Sequence, residues 1–561
     1  MDSDIREILG RINDNDLINL LPSWQRDYFY HESNKVDKSF LIKYISESAN
    51  ELITHPIQLA FLILQMTDDE FEGVFTGSTV AKKYKSRMDL LKHLKTGECK
   101  KTDVLLIKNR LGIKLEKTDT ETYKPSIVSS EENRFYELLD YQVYVKEQIL
   151  NTISSDQKIS KVVVHMPTGT GKTKTSMHTI TDFFINSMEK IGLVLWVAHT
   201  NTLLEQAEET FVEVWKKLGA GDIGVFRLYD DNNGDDLEST SNGIVFMGIQ
   251  KLISITKNNQ ELFTKIRNVA RLVIFDEAHK STASETKKAI NSLLKRGQLT
   301  NRIGFIGLTA TPGRNSGSDI DNDELAELYD RNLISIDPQV IEQLRKNKLQ
   351  ALNQEFSQSD VIHYFQDRRI LSRLVKEEID YDTSAINELL IRTKIRSGAD
   401  DVSNEIINHF AYNLDRNRKI IEKLMELDRT KTQTIFFSCS VEHGRFITSL
   451  LKANGVAVRE IYGDTTSSDR REIIKGFKNG EFKILVNCGV LTTGFDSTNI
   501  RCVFIARPTT SIVLYSQMVG RGLRGPKMGG GEYCTLIDMK DNLSRFTNEN
   551  QIFQYFKDYW R

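Results

Sequence analysis

Cysteine is scarce in this chain: Cys99, Cys439, Cys488, Cys502 and Cys534 are the only five in 561 residues. No two of them form a C-x-x-C pair, so neither a zinc site nor a disulfide framework is indicated, and a reducing cytoplasm is the simplest setting. An excess of one charge is lacking too. Lys and Arg number 75 against 77 Asp and Glu, a net charge of −2. No global basic field advertises nucleic acid, and any such surface must be local. Long apolar runs are absent: the most apolar stretch, "IQLAFLILQM" (57–66), is too short to span a bilayer. The first residues, "MDSDIREILG", are acidic and lack the apolar core of a signal peptide. What is present is 39% apolar and 27% charged residues, a soluble globular composition long enough for several domains.

Residues 1 to about 130 read as largely helical, with apolar residues at three- and four-residue spacings in "FLIKYISESANELI" and "IQLAFLILQM". The polar stretch 117–133 reads as a linker. Short apolar, β-branched runs then begin at 161, 193, 243, 271 and 303, separated by helical stretches. A second series begins at 434, 456, 483, 501 and 533. This alternation predicts two α/β domains with parallel sheets and crossover helices. The expected division is a helical accessory domain over 1–130, a first α/β domain over 131–320, a helical insertion or linker over 321–430 and a second α/β domain over 431–561.

"MPTGTGKTK" (166–174) follows a predicted strand and opens a predicted helix. That is the context of a phosphate-binding loop, although Met166 stands where the full pattern has glycine. Backbone N–H groups at a helix start cradle phosphates, and Gly169 and Gly171 allow the tight turn. Lys172 can reach the outer phosphates of a nucleotide, and the Thr173 hydroxyl can ligate Mg²⁺. "VIFDEAH" ends a strand 104 residues after Lys172. Asp276 can hold the metal there and Glu277 can align or deprotonate water. Two acids after a strand can also merely cap a helix; beside a phosphate loop they gain weight.

"MPTGTGKT", "DEAH", "GLTATPGR", "GVLTTGFD" and "QMVGRGLR" occur in that order. They resemble motifs I, II, III, V and VI of the superfamily 2 helicases, over about residues 130 to 545. The resemblance is strongest to the branch of restriction-enzyme motor subunits and DNA-repair translocases, in which motif I commonly lacks its first glycine. It implies two tandem RecA-like domains with ATP and Mg²⁺ in the cleft between them. It implies a nucleotide contact set of Gln142, Thr168, Gly169, Thr170, Gly171, Lys172, Thr173 and Asp496, with Thr173 and Asp276 serving the metal. Glu277 would serve the hydrolytic water, and Gln517, Arg521 and Arg524 would complete the site from the second domain. Thr309 and Thr311 match the coupling motif, and Gly494 and Asp496 match a motif that touches ribose and nucleic acid. Taken without the other motifs, Arg521 and Arg524 would read as an exposed basic helix face.

The nucleic-acid side is less marked. "VAHTNTLLEQ" (197–206) matches motif Ia, with Thr200 where relatives often carry a basic residue. "VFMGIQKL" (245–252) matches the next contact motif, with Gly248 where threonine is usual. In "FFSCSVEHG" (436–444), Ser438 and Ser440 are either phosphate donors or parts of a buried strand and polar turn. Residues 81–117 carry twelve Lys and Arg against four Asp and Glu. This run is a solvated helical face, a protein-partner surface or an accessory nucleic-acid surface. The resemblance favours an ATP-dependent motor acting on DNA rather than RNA, and the architecture of a helical front domain on a simple motor suggests a component of a bacterial antiviral defence or restriction system. An RNA helicase and an ATP-switched nucleic-acid clamp remain as alternatives.

Overall fold

Runs of Val, Ile, Leu and Phe become central strands because a sheet covered by helices wets neither face. In the computed structural model the first sheet holds β1 (Ser126–Ser129), β2 (Ile159–His165), β3 (Leu193–Ala198), β4 (Asp222–Leu228), β5 (Gly243–Gly248), β6 (Ala270–Asp276), β7 (Ile303–Thr309) and β8 (Leu333–Ser335). Their order is β1-β4-β5-β3-β6-β7-β2-β8, parallel except for β1 against β4. The second sheet holds β9 (Arg373–Ile379), β10 (Thr434–Phe437), β11 (Val458–Ile461), β12 (Ile484–Asn487), β13 (Cys502–Ile505) and β14 (Tyr533–Met539). Its order is β11-β12-β10-β13-β14-β9, parallel throughout. The described residues are 5–31, 36–53, 56–75, 80, 83–84, 86–96, 98–111, 113, 126–131, 136–186, 192–230, 232, 234, 237, 240–296, 301–313, 319–349, 361–381, 401–492, 495, 499–540, 553 and 556–560.

Both sheets are RecA-like, and the apolar runs fall where expected. Every residue of β3 and of β7 is buried. The strands without an apolar run are β1, β4 and β9, whose exposed and buried positions are mixed. β1 lies inside the stretch read as a linker and pairs with β4 through residues 126–129. The segment 321–430, expected as helical, contributes β8 to the first sheet and β9 to the second as well as its helices. Charges such as Lys376, Glu377 and Glu378 suit β9 to a sheet edge, where they discourage pairing with other chains.

The N-terminal helices are built onto the second sheet. One continuous apolar core joins Leu41, Tyr44 and Ile45 to Phe446, Phe504 and Ile537. Trp24 stacks on Tyr412 at 4.6 Å, meets the edge of Phe446 at 4.7 Å and donates its indole N–H to Glu442 at 2.9 Å. Lys43 donates to the Ala453 carbonyl at 2.7 Å, at the end of helix Val441–Ala453. Trp24→Ala should cost this joint about 3 kcal/mol through lost packing. An earlier urea midpoint for the second sheet and the N-terminal helices together would show it.

Residues 553 and 556–560 return to the first domain. Phe553 stacks on His165 at 4.0 Å, Phe556 is buried against Gly313, and Trp560 donates to the Pro312 carbonyl at 2.7 Å. Among the described residues no helix is long and apolar enough to cross a membrane.

Candidate active site

The phosphate-type loop joins β2 to helix Lys172–Asn186. Gly169 and Gly171 both have φ +85°, a backbone that only glycine adopts without strain. A side chain at 171 would also strike Gln142, its Cβ lying 2.4 Å from Nε2. Met166 is fully buried, and its N–H donates to the Thr309 carbonyl at 3.2 Å. A methionine here anchors the loop in the core, and the turn itself falls on the later glycines.

Two residues of helix Asp140–Ile153 brace the loop from outside. Tyr141 Oη and Gln142 Nε2 donate to the Thr170 carbonyl at 2.8 and 3.0 Å. Gln142 is itself held, its Oε1 accepting the Leu139 N–H at 2.9 Å. Arg368 pairs with Asp140 at 2.7 Å, tying this helix to the segment that leads into β9.

Lys172 and the two acids share the floor of the cleft. Lys172 Nζ donates to the carbonyls of Met166 at 3.0 Å and Pro167 at 3.4 Å. Burial lowers its pKa to about 8, against the pull of Glu277 and Asp276. Asp276 ends β6, and burial, then the neighbouring Glu277, raises its carboxyl to about 7, opposed by Lys172. Glu277 sits at φ +62°, a left-handed turn that carries it off the strand. Asp276 is a buried acid crowded by Glu277 within electrostatic reach of Lys172, and Thr173 follows Lys172 on the helix start; carboxylate and hydroxyl oxygens are the hard donors that suit Mg²⁺. The residues present therefore fit a metal-bound nucleotide.

The second domain closes on this floor. A Cβ at Gly520 would lie 2.8 Å from the Thr168 side chain, and one at Gly169 would lie 3.3 Å from Arg524 Cγ. Arg521 donates to the carbonyls of Phe495 at 2.7 Å and Gln517 at 3.2 Å, and its charge acts on Glu277 and Asp276. Burial lowers the Arg524 pKa to about 10. Gln517 meets His279 at 3.3 Å, and the other ring nitrogen of His279 lies 3.5 Å from Glu277. His279 thus links the acid pair to the second domain. It stands in the quoted "DEAH", yet sequence reasoning gave it no role. A narrow crevice remains beside the loop, lined by Pro167, Thr168 and Ala310 on one side and Ser516, Val519 and Leu523 on the other.

Of the predicted set, Gln142, Thr168, Gly169, Thr170, Gly171, Lys172, Thr173, Asp276, Glu277, Gln517, Arg521 and Arg524 border the cleft or the loop. Asp496, with Gly494, lies outside the described residues. Thr309 and Thr311 make one turn, Thr309 Oγ1 donating to the Thr311 carbonyl at 2.7 Å and accepting the Thr311 N–H at 3.0 Å.

The family described as "Type III restriction enzyme, res subunit" matches residues 135–314. "Helicase conserved C-terminal domain" matches residues 416–525. The chain belongs to the superfamily 2 helicases. It is 26% identical over 407 residues to the putative ATP-dependent helicase IRC3 of Saccharomyces cerevisiae, covering 72% of this chain and 51% of that protein. It is 22% identical over 434 residues to the type I restriction enzyme EcoAI endonuclease subunit of Escherichia coli, covering 73% of this chain and 47% of that one. It is 23% identical over 189 residues to the DEAD-box ATP-dependent RNA helicase 41 of Arabidopsis thaliana, covering 33% of this chain and 35% of that protein. The chain spans about half the length of the yeast and E. coli relatives.

On the nucleic-acid side, several side chains of this helicase-family chain are engaged within the fold itself. Ser438 is fully buried and donates to the carbonyls of Ser440 at 2.8 Å and Asn487 at 3.1 Å, so it belongs to the turn. Ser440 caps helix Val441–Ala453 by accepting the His443 N–H at 3.1 Å. Thr200 caps helix Asn201–Leu218, and Gly248 precedes helix Ile249–Asn258. In the basic run, Lys83 pairs with Asp103, and Arg87 donates to the Leu64 carbonyl at 3.0 Å and to Asp68 at 3.2 Å. Arg87 holds the end of helix Pro56–Leu64 rather than facing a ligand. Lys82 and Lys85 lie outside the described residues.

Proposed function

We propose that this chain is an ATP-driven motor that moves along nucleic acid, DNA in preference to RNA. The observation that carries the reading is the convergence of Lys172, Asp276 and Glu277 from the first domain with Arg521 and Arg524 from the second on one cleft. Lys172 and the loop N–H groups hold the nucleotide phosphates. Asp276 and Thr173 would hold Mg²⁺, which would supply charge neutralisation on those phosphates. Glu277 orients the attacking water and takes its proton. Arg521 and Arg524 stabilise the charge that develops on the transferring phosphoryl group, so hydrolysis is fast only when the cleft is shut. His279 and Gln517 relay closure to Glu277.

DNA is favoured because the restriction-enzyme relative covers most of this chain, whereas the RNA helicase of Arabidopsis covers a third of it. The same relationship supports a place in a bacterial defence or restriction system, in a cytoplasm where all five cysteines stay thiols. ATP turnover measured with single-stranded DNA, duplex DNA and RNA tests the polymer. The expected result is stimulation of at least about tenfold by DNA and less by RNA. Equal stimulation by RNA would move the reading to an RNA helicase. Turnover indifferent to every polymer would overturn the motor.

A further inference from the structure

In the second sheet β10 lies between β12 and β13. The chain leaves β10 toward the β11 and β12 side and leaves β13 toward β14, so a crevice opens between the carboxyl ends of β10 and β13. An open parallel sheet takes its ligands at such a switch point. Arg507 fills it. Its Nη1 donates to the Cys439 carbonyl beyond β10 at 3.0 Å, and it also reaches the Cys488 thiol beyond β12. Its Nη2 donates to Asp401 Oδ2 at 3.3 Å. The other oxygen of Asp401 accepts the Thr509 hydroxyl at 2.8 Å and the Thr510 N–H at 3.0 Å.

A guanidinium, a hydroxyl and a backbone N–H thus converge on one carboxylate supplied by a residue 106 positions away from Arg507. The same donors suit a phosphodiester oxygen pair. Asp401 and Arg507 each keep 21% of their side-chain surface exposed, and Thr510 is exposed, so a ligand can reach the site from water. Asp401 is held by these three contacts alone among the described residues, and each of them is one that a phosphodiester oxygen can take over.

We propose that Arg507, Thr509 and the Thr510 N–H form a subsite for a backbone phosphate of the nucleic-acid strand, and that Asp401 keeps this subsite closed until a strand displaces it. The proposal rests on the motor reading above. It makes strand binding carry a penalty set by the fraction of molecules in which Asp401 has swung away.

The test is fluorescence anisotropy of a labelled single-stranded oligonucleotide, in DNA and RNA arms, against the full chain at fixed salt. Asp401→Asn should tighten binding on the order of threefold to tenfold, and Arg507→Ala should weaken it. The deciding measurement is the double variant. Asp401→Asn should give no gain in the Arg507→Ala background, because there is no longer a cradle to open. An equal gain in both backgrounds would reduce Asp401 to a general repulsive charge and overturn the subsite. No gain from Asp401→Asn in the wild-type background would overturn it as well. Asp401 lies on a bend at the surface, and Asp401→Ala, with a thermal melt, serves as the second variant if the amide misfolds. Failure of the wild type to bind either polymer would sink the motor reading itself, a result distinct from wild-type binding without the Asp401 effect.

Discussion

Lys172→Ala should slow ATP turnover by on the order of a thousandfold or more. The ammonium is a cation on the first domain's side of the cleft whose charge acts on both Asp276 and Glu277. Removing it strips the first domain of the side-chain cation that offsets two carboxylates beside the phosphates, a loss that neither the loop N–H groups nor the second domain's arginines make good. Nucleotide binding should weaken together with the chemical step. Lys174→Ala is the matched control. Lys174 donates to the Glu137 carbonyl at 2.7 Å and lies 3.9 Å over the Tyr136 ring, outside the cleft. Its loss should leave turnover within about threefold of wild type. Single-turnover hydrolysis and anisotropy of a fluorescent nucleotide separate the two effects. Wild-type rates in Lys172→Ala would disprove the assignment of the loop.

Arg521→Ala should lose about three orders of magnitude in hydrolysis while keeping nucleotide affinity within a few-fold. Its guanidinium is oriented by the carbonyls of Phe495 and Gln517, and its charge acts on both Asp276 and Glu277. The first domain, with Lys172 and the loop, is untouched by the change. Arg524→Ala should also impair hydrolysis. Its stem packs beside Gly169, so part of its loss should appear as weaker docking of the two domains. Near-normal hydrolysis in both variants would show that the second domain does not complete this site.

The motor sheets were legible because their central strands are buried on both faces and therefore read as unbroken apolar runs. β4, β9 and β1 were not, because strands near or at a sheet edge mix charged and apolar residues as surface loops do. The cleft residues were legible through fixed local spacings such as that from Gln517 to Arg521 and Arg524. His279 and Tyr141 gave no such signal. Their part depends on which distant residue they touch, Gln517 in one case and the Thr170 carbonyl in the other. The basic run misled in one respect. Composition counts Arg87 as free charge, whereas its guanidinium is occupied by helix-end carbonyls.

The helices that begin the described chain rest on the second domain, and Phe553, Phe556 and Trp560 rest on the first. Each motor half is therefore laced by sequence from the opposite side of the fold. Tension applied between residues 5 and 560 would enter the second half through the helices and the first half through the aromatic anchors. It would pass from one half to the other across the face where they meet, at the nucleotide cleft. The part of the molecule that must open and shut is then also the part that bears any pull between residues 5 and 560.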